Sequence, residues 1–517
     1  MLRSVVTVGA WTGASRILGF VRDIAIAARL GAGPEADAFF VALKLPNFFR
    51  RLFGEGAFAA AFVPMFAGSL AGEGREAARR VAEGALAVMV AALAALTLLA
   101  IVFMPQAMTV LAPGFVRDPE RFALAVELTR ITFPYLLLIC VVALLSGVLN
   151  GLDRFAAAAG APVLFNLCLI AGLFAAPVIG IGAVHGLAWG VAASGIAQLV
   201  LLAVAVGAAG LPLRLPRPRL TPEVRALLRR MVPGAIGAGV TQINLMIDVI
   251  IASLLPQGAI AFLYYADRVA QLPLGVIGTA VGTALLPVLS RQVRSGDGMK
   301  AIDTQNRAVE LALLLTLPAA AGLIACALPI VSVLFERGAF GAEQSRATAL
   351  ALAAYGVGLP AFVLVKVFAP GFFARGDTAT PVKIGIACVA LNLALNLALI
   401  GPLGHVGVAL ATSLAAWANA GALAFVLRRH GRWREDGRLV SRTLRIALAA
   451  LLMALALWAV REAMADDLLL LRGFRWGALA ALLGFGGAVF AGLALAFRAA
   501  DVAEIRGYLR RRRSASP

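Results

Sequence analysis

The stretch LLLTLPAAAGLIACALPIVSVLF, residues 313–335, decides the fold class. It holds no charged side chain, and at about 1.5 Å per residue such a run crosses the roughly 30 Å hydrocarbon core of a bilayer. In lipid, only a helix or a closed barrel satisfies every backbone N–H and C=O. The run lacks the strict apolar–polar alternation of a barrel strand, so it reads as a helix. Runs of the same kind recur on both sides of it.

Composition agrees with that reading. Of 517 residues, 61% are hydrophobic and 14% charged, against about 25% charged in an ordinary soluble domain. The chain therefore reads as an all-α polytopic membrane protein. Its formal charge of +19 is assigned to the basic bias of cytoplasmic loops and not to a nucleic-acid partner. Cys140, Cys168, Cys326 and Cys388 fall inside the apolar runs and form no CxxC pair. They read as small apolar fillers, with no disulfide framework or metal site. The N-terminus, MLRSVVTVGAWTGASRILGF, is interrupted by Arg16 and reads as a first span, not a cleavable signal.

The apolar pattern predicts about fourteen spans: 5–30, 37–70, 84–112, 122–150, 156–177, 185–208, 232–254, 259–290, 309–335, 345–373, 379–400, 405–427, 444–462 and 476–498. An even number puts both termini on one side. Lys and Arg in the connections of that side, dense at 214–230 and 428–445, outnumber those of the other about fourfold, which predicts cytoplasmic termini. The expected organisation is an N-terminal lobe (1–210), a basic cytoplasmic linker (211–230), a C-terminal lobe (231–430), a last helix pair (431–500) and a basic cytoplasmic tail (501–517). That tail reads as a topology anchor or a contact to anionic membrane lipids.

Spans 1–6 and 7–12 look like two copies. FVPMF (62–66) closes the second span as LLPVL (285–289) closes the eighth, and ADAFF (36–40) matches AIAFL (259–263) at the same spacing. RFAAAAGAPVLFN (154–166) resembles DTATPVKIGIACVALN (377–392) in carrying Pro near the start of each fifth span. Six spans per copy give the copies the same orientation, a parallel pseudo-two-fold along the membrane normal, with substrate expected between the halves. Spans 13 and 14 lie outside the repeat.

Charge appears where a span is least able to carry it. ALKLPNFFRRLFGEGAFAAAFVP (42–64) contains Lys44, Arg50, Arg51 and Glu55, and each basic residue at a helix centre costs about 2.5–3.5 kcal/mol on insertion scales. Lys44, Arg51 and Glu55 share a stripe, with an Arg51–Glu55 pair expected and Arg50 on the side of Pro46 and Asn47. In the first span, Arg16, Gly19 and Asp23 share a face and Arg22 lies on the next. The eighth span adds Asp267 and Arg268. For Arg130, with Glu127 three residues before it, a local ion pair is the simpler reading, and Lys366 also reads as structural. Arg22, Arg50 and Arg268 exceed the acids near them, and such residues mark pathways. Guanidinium groups suit phosphate oxygens, so a cationic cavity and an anionic, phosphate-bearing substrate are expected.

The segments SRILGFVRD, ADAFFVALKLPNFFRRLFGEGAFAAAFVP, APGF, ITFPY, YYADR, LPLGVIGTAVGTALLP and VKVFAPGFFARGDTATPVKI resemble the MurJ (MviN) lipid II flippases, a family within the multidrug/oligosaccharidyl-lipid/polysaccharide exporter superfamily. The likeness runs across spans 1–12. It implies two six-helix lobes and two further C-terminal helices that form a groove for a polyprenyl tail. It implies that Arg16, Arg22, Arg50 and Arg268 line a central cavity and bind the diphosphate headgroup, supported by Asp23, Asp37, Lys44, Arg51, Glu55 and Asp267. It also implies a multi-pass protein of the bacterial cytoplasmic membrane, monomeric and working with cell-wall synthesis proteins, that moves lipid II by alternating access in peptidoglycan synthesis.

Asp248, Asn392, Asn396 and Thr412 supply the hard oxygens that a small cation takes, and in some family members the matching positions, with the carbonyl of Val408, resemble a sodium site. Here one of those carboxylates is Asn396. Helix-to-helix polar contact is the other reading of this set. Coupling to Na+, to protons or to the membrane potential is expected in place of an organic cofactor or ATP, because no nucleotide motif is present. His185, His405 and His430 form no HExxH or triad pattern, so no enzyme is expected. The rival readings are an exporter of other lipid-linked oligosaccharides or small molecules, an enzyme acting on polyprenyl phosphates, and a membrane scaffold.

Overall fold

The computed structural model describes residues 2–51, 57–463 and 475–499. Its regular structure there is helical throughout, as the absence of alternation requires. Among the described residues, nine helical stretches are long and apolar enough to cross a membrane. The first helix, α1 (Leu2–Leu30), is not among them, because Arg16, Arg22 and Asp23 interrupt its apolar surface. The chain forms two compact units, Met1–Ala261 with Arg337–Gly341, and Phe262–Glu336 with Ala342–Pro517.

In the first unit, α1 packs on α8 (Ala156–Ala175), which packs on α9 (Ala183–Ala208). Helix α2 (Pro34–Phe49) packs on α6 (Pro119–Thr132). Helices α3 (Ala57–Gly72), α4 (Arg75–Val102) and α7 (Tyr135–Gly151) form a third group. Its core is aromatic: Phe58 and Phe62 stack at 5.0 Å and Phe62 and Phe66 at 5.8 Å, buried among Val142, Leu145 and Leu149. The short α5 (Met104–Leu111) follows a break at Phe103. Helix α10 (Pro222–Ser253), capped by the Thr221 hydroxyl, packs on α3 and α4 and so belongs with this unit. Large apolar side chains at Leu98, Val102, Val200 and Val204 stay exposed, the pattern of a surface whose solvent is lipid.

The run that opened the sequence reading is not one helix. It ends α12 (Gly298–Ala325), breaks at Cys326, and resumes as α13 (Ala327–Phe335), where Pro329 suits a first turn. In the second unit α12 packs on α14 (Ala342–Phe373) and α16 (Gly437–Ala463), α14 packs on α15 (Ala379–Arg429), and α16 packs on α17 (Arg475–Ala496). Helix α15 is two spans joined at Gly404, whose φ of 54° and ψ of −132° is open only to glycine. Before α15, the Thr380 amide donates to Asp377 and holds that carboxyl below the usual range. The base of α16 is tied to α12 by ions: Glu310 accepts from Arg307, Arg438 and Arg442, and Arg307 also donates to Asp436. The remaining long helix, α11 (Ala259–Arg294), starts at the boundary between the units. All four cysteines are free thiols, Cys140 and Cys326 buried and Cys168 and Cys388 partly so. The expected basic tail, 501–517, lies outside the described residues.

Candidate functional site

The charges of α1 separate according to burial. Arg16 is exposed, whereas Arg22 and Asp23 are buried at 7% and 2% exposure. Nε and Nη2 of Arg22 donate to one oxygen of Asp23, at 3.0 and 2.7 Å, and Nη1 donates to Oδ1 of Asn166 at 2.9 Å. Asn166 stands on α8, where its amide nitrogen donates to the carbonyls of Ser15 (3.0 Å) and Pro162 (3.2 Å). Gly19 lies against Asn166: a Cβ there would meet the amide at 3.6 Å, an ordinary contact distance. The ring of Phe165 lies 5.6 Å from the guanidinium carbon. Of the expected face of Arg16, Gly19 and Asp23, Gly19 lies against Asn166 and Asp23 is buried, while Arg16 is exposed.

At the end of α2, Arg50 donates from Nε to Asn47 (3.1 Å), and Asn47 donates to the carbonyl of Leu43 (2.8 Å). Arg50 and Arg51 are π-helical, a local widening frequent at functional sites. Lys44 and Arg50 are half-buried and Arg51 is exposed. Glu55, and with it the expected Arg51–Glu55 pair, lies outside the described residues.

Asp37 belongs to a different constellation. It is fully buried and accepts from Arg121 and from the backbone amides of Gly258 (2.7 Å) and Ala261 (2.8 Å). A carboxylate on α2 thus caps the first turn of α11, where the helix dipole favours an anion. Arg121 lies 3.8 Å above the ring of Phe115, and its own amide is held by Asp118, whose second oxygen accepts from Gln257 at 3.0 Å. None of the four expected substrate arginines is among the partners of Asp37. Arg130 donates to the carbonyl of Ile101 (3.0 Å), while Glu127 faces His185 (3.3 Å), so the local pair expected for Arg130 is not the contact that forms.

In the second unit, Arg268 lies over the ring of Tyr264 (4.8 Å), and Asp267 accepts from Gln271. Lys366 on α14 runs against α11, where a Cβ on Gly278 would meet its amine at 2.9 Å. Four of the five residues considered for a cation come together there. Asn396 donates to Asn392 (2.8 Å), Asn392 to Thr412 (3.4 Å) and Thr412 to the carbonyl of Val408 (3.0 Å). Asn392 and Asn396 are 1% and 0% exposed. Of these bonds only the one from Asn392 to Thr412 joins the two spans of α15, and the oxygens of the set are of the kind a small hard cation takes. Asp248 stands on α10, in the first unit. No cluster of three His, Cys, Asp or Glu residues fit for a metal occurs among the described residues.

Two residues central to these networks, Asn166 and Arg121, were not singled out from sequence. An Asn in an apolar span is a weak signal of interhelical bonding. For Arg121 there was none, because its partner Asp37 lies 84 residues away. Taken together the arrangement offers guanidinium groups on apolar helices, able to meet phosphate oxygens with paired, charge-assisted hydrogen bonds.

Comparison with known proteins points the same way. Residues 26–474 match the family described as lipid II flippase MurJ. A probable lipid II flippase MurJ of Rhizobium meliloti (strain 1021) is 47% identical over 462 residues, covering 89% of this chain and 86% of that protein. The lipid II flippase MurJ of Burkholderia cenocepacia is 36% identical over 462 residues, covering 88% and 89%. Among solved structures, a lipid II flippase MurJ in an inward closed conformation aligns with TM-score 0.79 and 25% identity over 95% of this chain and 99% of that one. An inward-facing multidrug resistance transporter of the MATE family aligns with TM-score 0.69 at 16% identity, over 81% and 94%, a likeness of fold alone.

Proposed function

We propose, on the premise that this chain belongs to the lipid II flippase MurJ family, that it carries the diphosphate headgroup of lipid II across the cytoplasmic membrane on a set of span arginines. It is a multi-pass transporter and not an enzyme. The observation that carries the arginine assignment is the presence of Arg16, Arg22, Arg50 and Arg268 on otherwise apolar helices. Charge there is costly and is kept where a charged cargo passes. Asp23, Asp37, Lys44, Arg51, Glu55 and Asp267 support that set by fixing side chains and balancing charge.

In this reading the chain makes fourteen crossings, six in each sequence repeat and two at the C-terminal end, with α15 counted twice across Gly404. Both termini are cytoplasmic. The last two helices hold the polyprenyl chain in lipid while the headgroup moves. The cycle is alternating access: the headgroup enters from the inner leaflet, the arginines exchange intramolecular partners for phosphate oxygens, and release follows on the opposite side. Several moderate charge-assisted bonds permit release where one very tight site would not. A cation gradient through Asp248, Asn392, Asn396, Val408 and Thr412, a proton gradient, or the membrane potential biases the direction.

The test is externalisation of lipid II in cells depleted of their own flippase. Wild-type chain restores it, and Arg50→Ala at matched membrane level lowers it by about tenfold or more, the equivalent of losing one charge-assisted bond. Restoration by both forms would keep the transporter and remove Arg50 from the cargo path. Failure of a well-folded wild type would remove lipid II as the cargo.

A further inference from the structure

The two sequence repeats break their third span in the same way and mend the break from different places. Helix α4 stops before Phe103 and α5 resumes after it, as α12 stops before Cys326 and α13 resumes after it. Phe103 and Cys326 lie as far apart in the chain as FVPMF and LLPVL do. A proline follows each break, Pro105 in one and Pro329 in the other. Proline has no N–H, so the carbonyl four residues before it, of Ile101 or of Ala325, gains no donor from its own helix. In hydrocarbon an unmet carbonyl is costly. An arginine meets each one: Nε of Arg130 donates to Ile101 at 3.0 Å, and Nη1 of Arg461 donates to Ala325 at 3.2 Å.

The two arginines come from different parts of the chain. Arg130 stands on α6, within its repeat, four residues before Pro134. Four residues before Pro360 of α14 stands Gly356, where a Cβ would lie 3.1 Å from Ile324. Helix α14 therefore closes directly on α12 beside the break, and the donor comes instead from α16, which lies outside the repeat. Arg461 continues the buried face of α16, following Leu457 by four residues as Leu457 follows Met453. Its guanidinium also lies 3.7 Å from the carboxylate of Glu462. The other end of α16 carries Arg438 and Arg442, which donate to Glu310 of α12, and between the ends Ile446 packs with Leu314 and Leu317. Helix α16 is thus fastened to α12 at both ends. Helix α17 joins them where a Cβ on Gly486 would meet Leu457 at 2.9 Å.

We infer that Arg461 is a pin that seats the last helix pair on the break in α12, doing from α16 what Arg130 does from within the first repeat. The inference rests on the reading above in which α16 and α17 hold the polyprenyl chain. It makes Arg461 a positioning residue for that chain: α12, α16 and α17 travel as one body, and the tail keeps its seat while the headgroup moves.

The experiment measures binding of undecaprenyl diphosphate and of the shorter farnesyl diphosphate, which share a headgroup, to the full-length protein in detergent. Wild type prefers the long chain. Arg461→Ala loses several-fold of that preference with its affinity for the short chain unchanged, and Arg461→Lys keeps most of it. Arg130→Ala loses the same kind of bond in the first repeat and keeps the full preference. An Arg461→Ala protein with the wild-type preference, or an equal loss in Arg130→Ala, overturns the inference. Should Arg461→Ala fail to accumulate, Arg461→Ala/Pro329→Ala, which returns an N–H to the Ala325 carbonyl, is expected to accumulate and to show the same loss of preference. Its failure to accumulate, or a wild-type preference in it, overturns the inference.

Hydrogen exchange gives a readout independent of the cargo. Arg461→Ala speeds exchange where α12 and α16 end, whereas Arg130→Ala speeds it where α4 ends. Unchanged exchange at the end of α16 in Arg461→Ala overturns the inference. If wild type binds both diphosphates alike, or neither, the reading of cargo and tail falls, and the exchange comparison still decides whether Arg461 is the pin.

Discussion

At Asp37 a single carboxylate, wholly removed from solvent, is held by one guanidinium and two backbone amides. Removing one member of a buried pair leaves the other as an uncompensated charge, which costs far more than the pair contributes. Asp37→Ala is therefore expected to lower stability by about 3–5 kcal/mol, because Arg121 is left buried at 5% exposure. Asp37→Leu/Arg121→Leu recovers most of that loss, although the α11 amides still lack their cap. Thermal unfolding of the purified variants measures both effects, and a double variant as weak as the single would show that the amide contacts dominate. Nothing local marks Asp37 and Arg121 as partners. Arg22 and Asp23 are neighbours in sequence, yet helical spacing puts them on adjacent faces, and their pairing too is a finding of the structure. The third member, Asn166, became visible only when α8 was placed against Gly19.

Among the elements, breaks carry as much information as helices. The uninterrupted apolar run at 313–335 reads as one span, because hydropathy is blind to a backbone that stops and restarts within apolar surroundings. The structure divides it at Cys326, whose φ of −109° and ψ of 20° ends α12. At Gly404, by contrast, the backbone leaves helical geometry where the span pattern predicts a connection, between 400 and 405. Because its φ is 54° with ψ −132°, Gly404→Ala forces a side chain into a strained region and is expected to cost about 1–3 kcal/mol. Unfolding of the purified variant checks this, and an unchanged midpoint would show that the turn relaxes to another conformation. The ionic tie of α16 to α12 through Glu310 was beyond sequence reading, since Arg438 and Arg442 lie more than a hundred residues along the chain from it.

For the molecule as a whole, the asymmetry of basic residues sets the expected topology. Cysteines introduced singly at positions 217 and 432, in a background where the four native cysteines are replaced, are predicted to react with membrane-impermeant reagent only once the cytoplasmic face is opened. Cysteines at 117 and 337 are predicted to react in intact spheroplasts. The reverse pattern would invert the assigned direction of transport. Sequence alone determined that the chain is a helical membrane protein, which family it resembles, and where charge interrupts its apolar runs. Those properties follow from composition, from the 3.6-residue period and from short motifs, all of which are local. Only the tertiary structure decided which charge meets which partner: Asp37 with Arg121, Arg22 with Asn166 as well as Asp23, Glu310 with three arginines. Those choices depend on which faces of distant helices are packed together, and helical period specifies a face without specifying its neighbour.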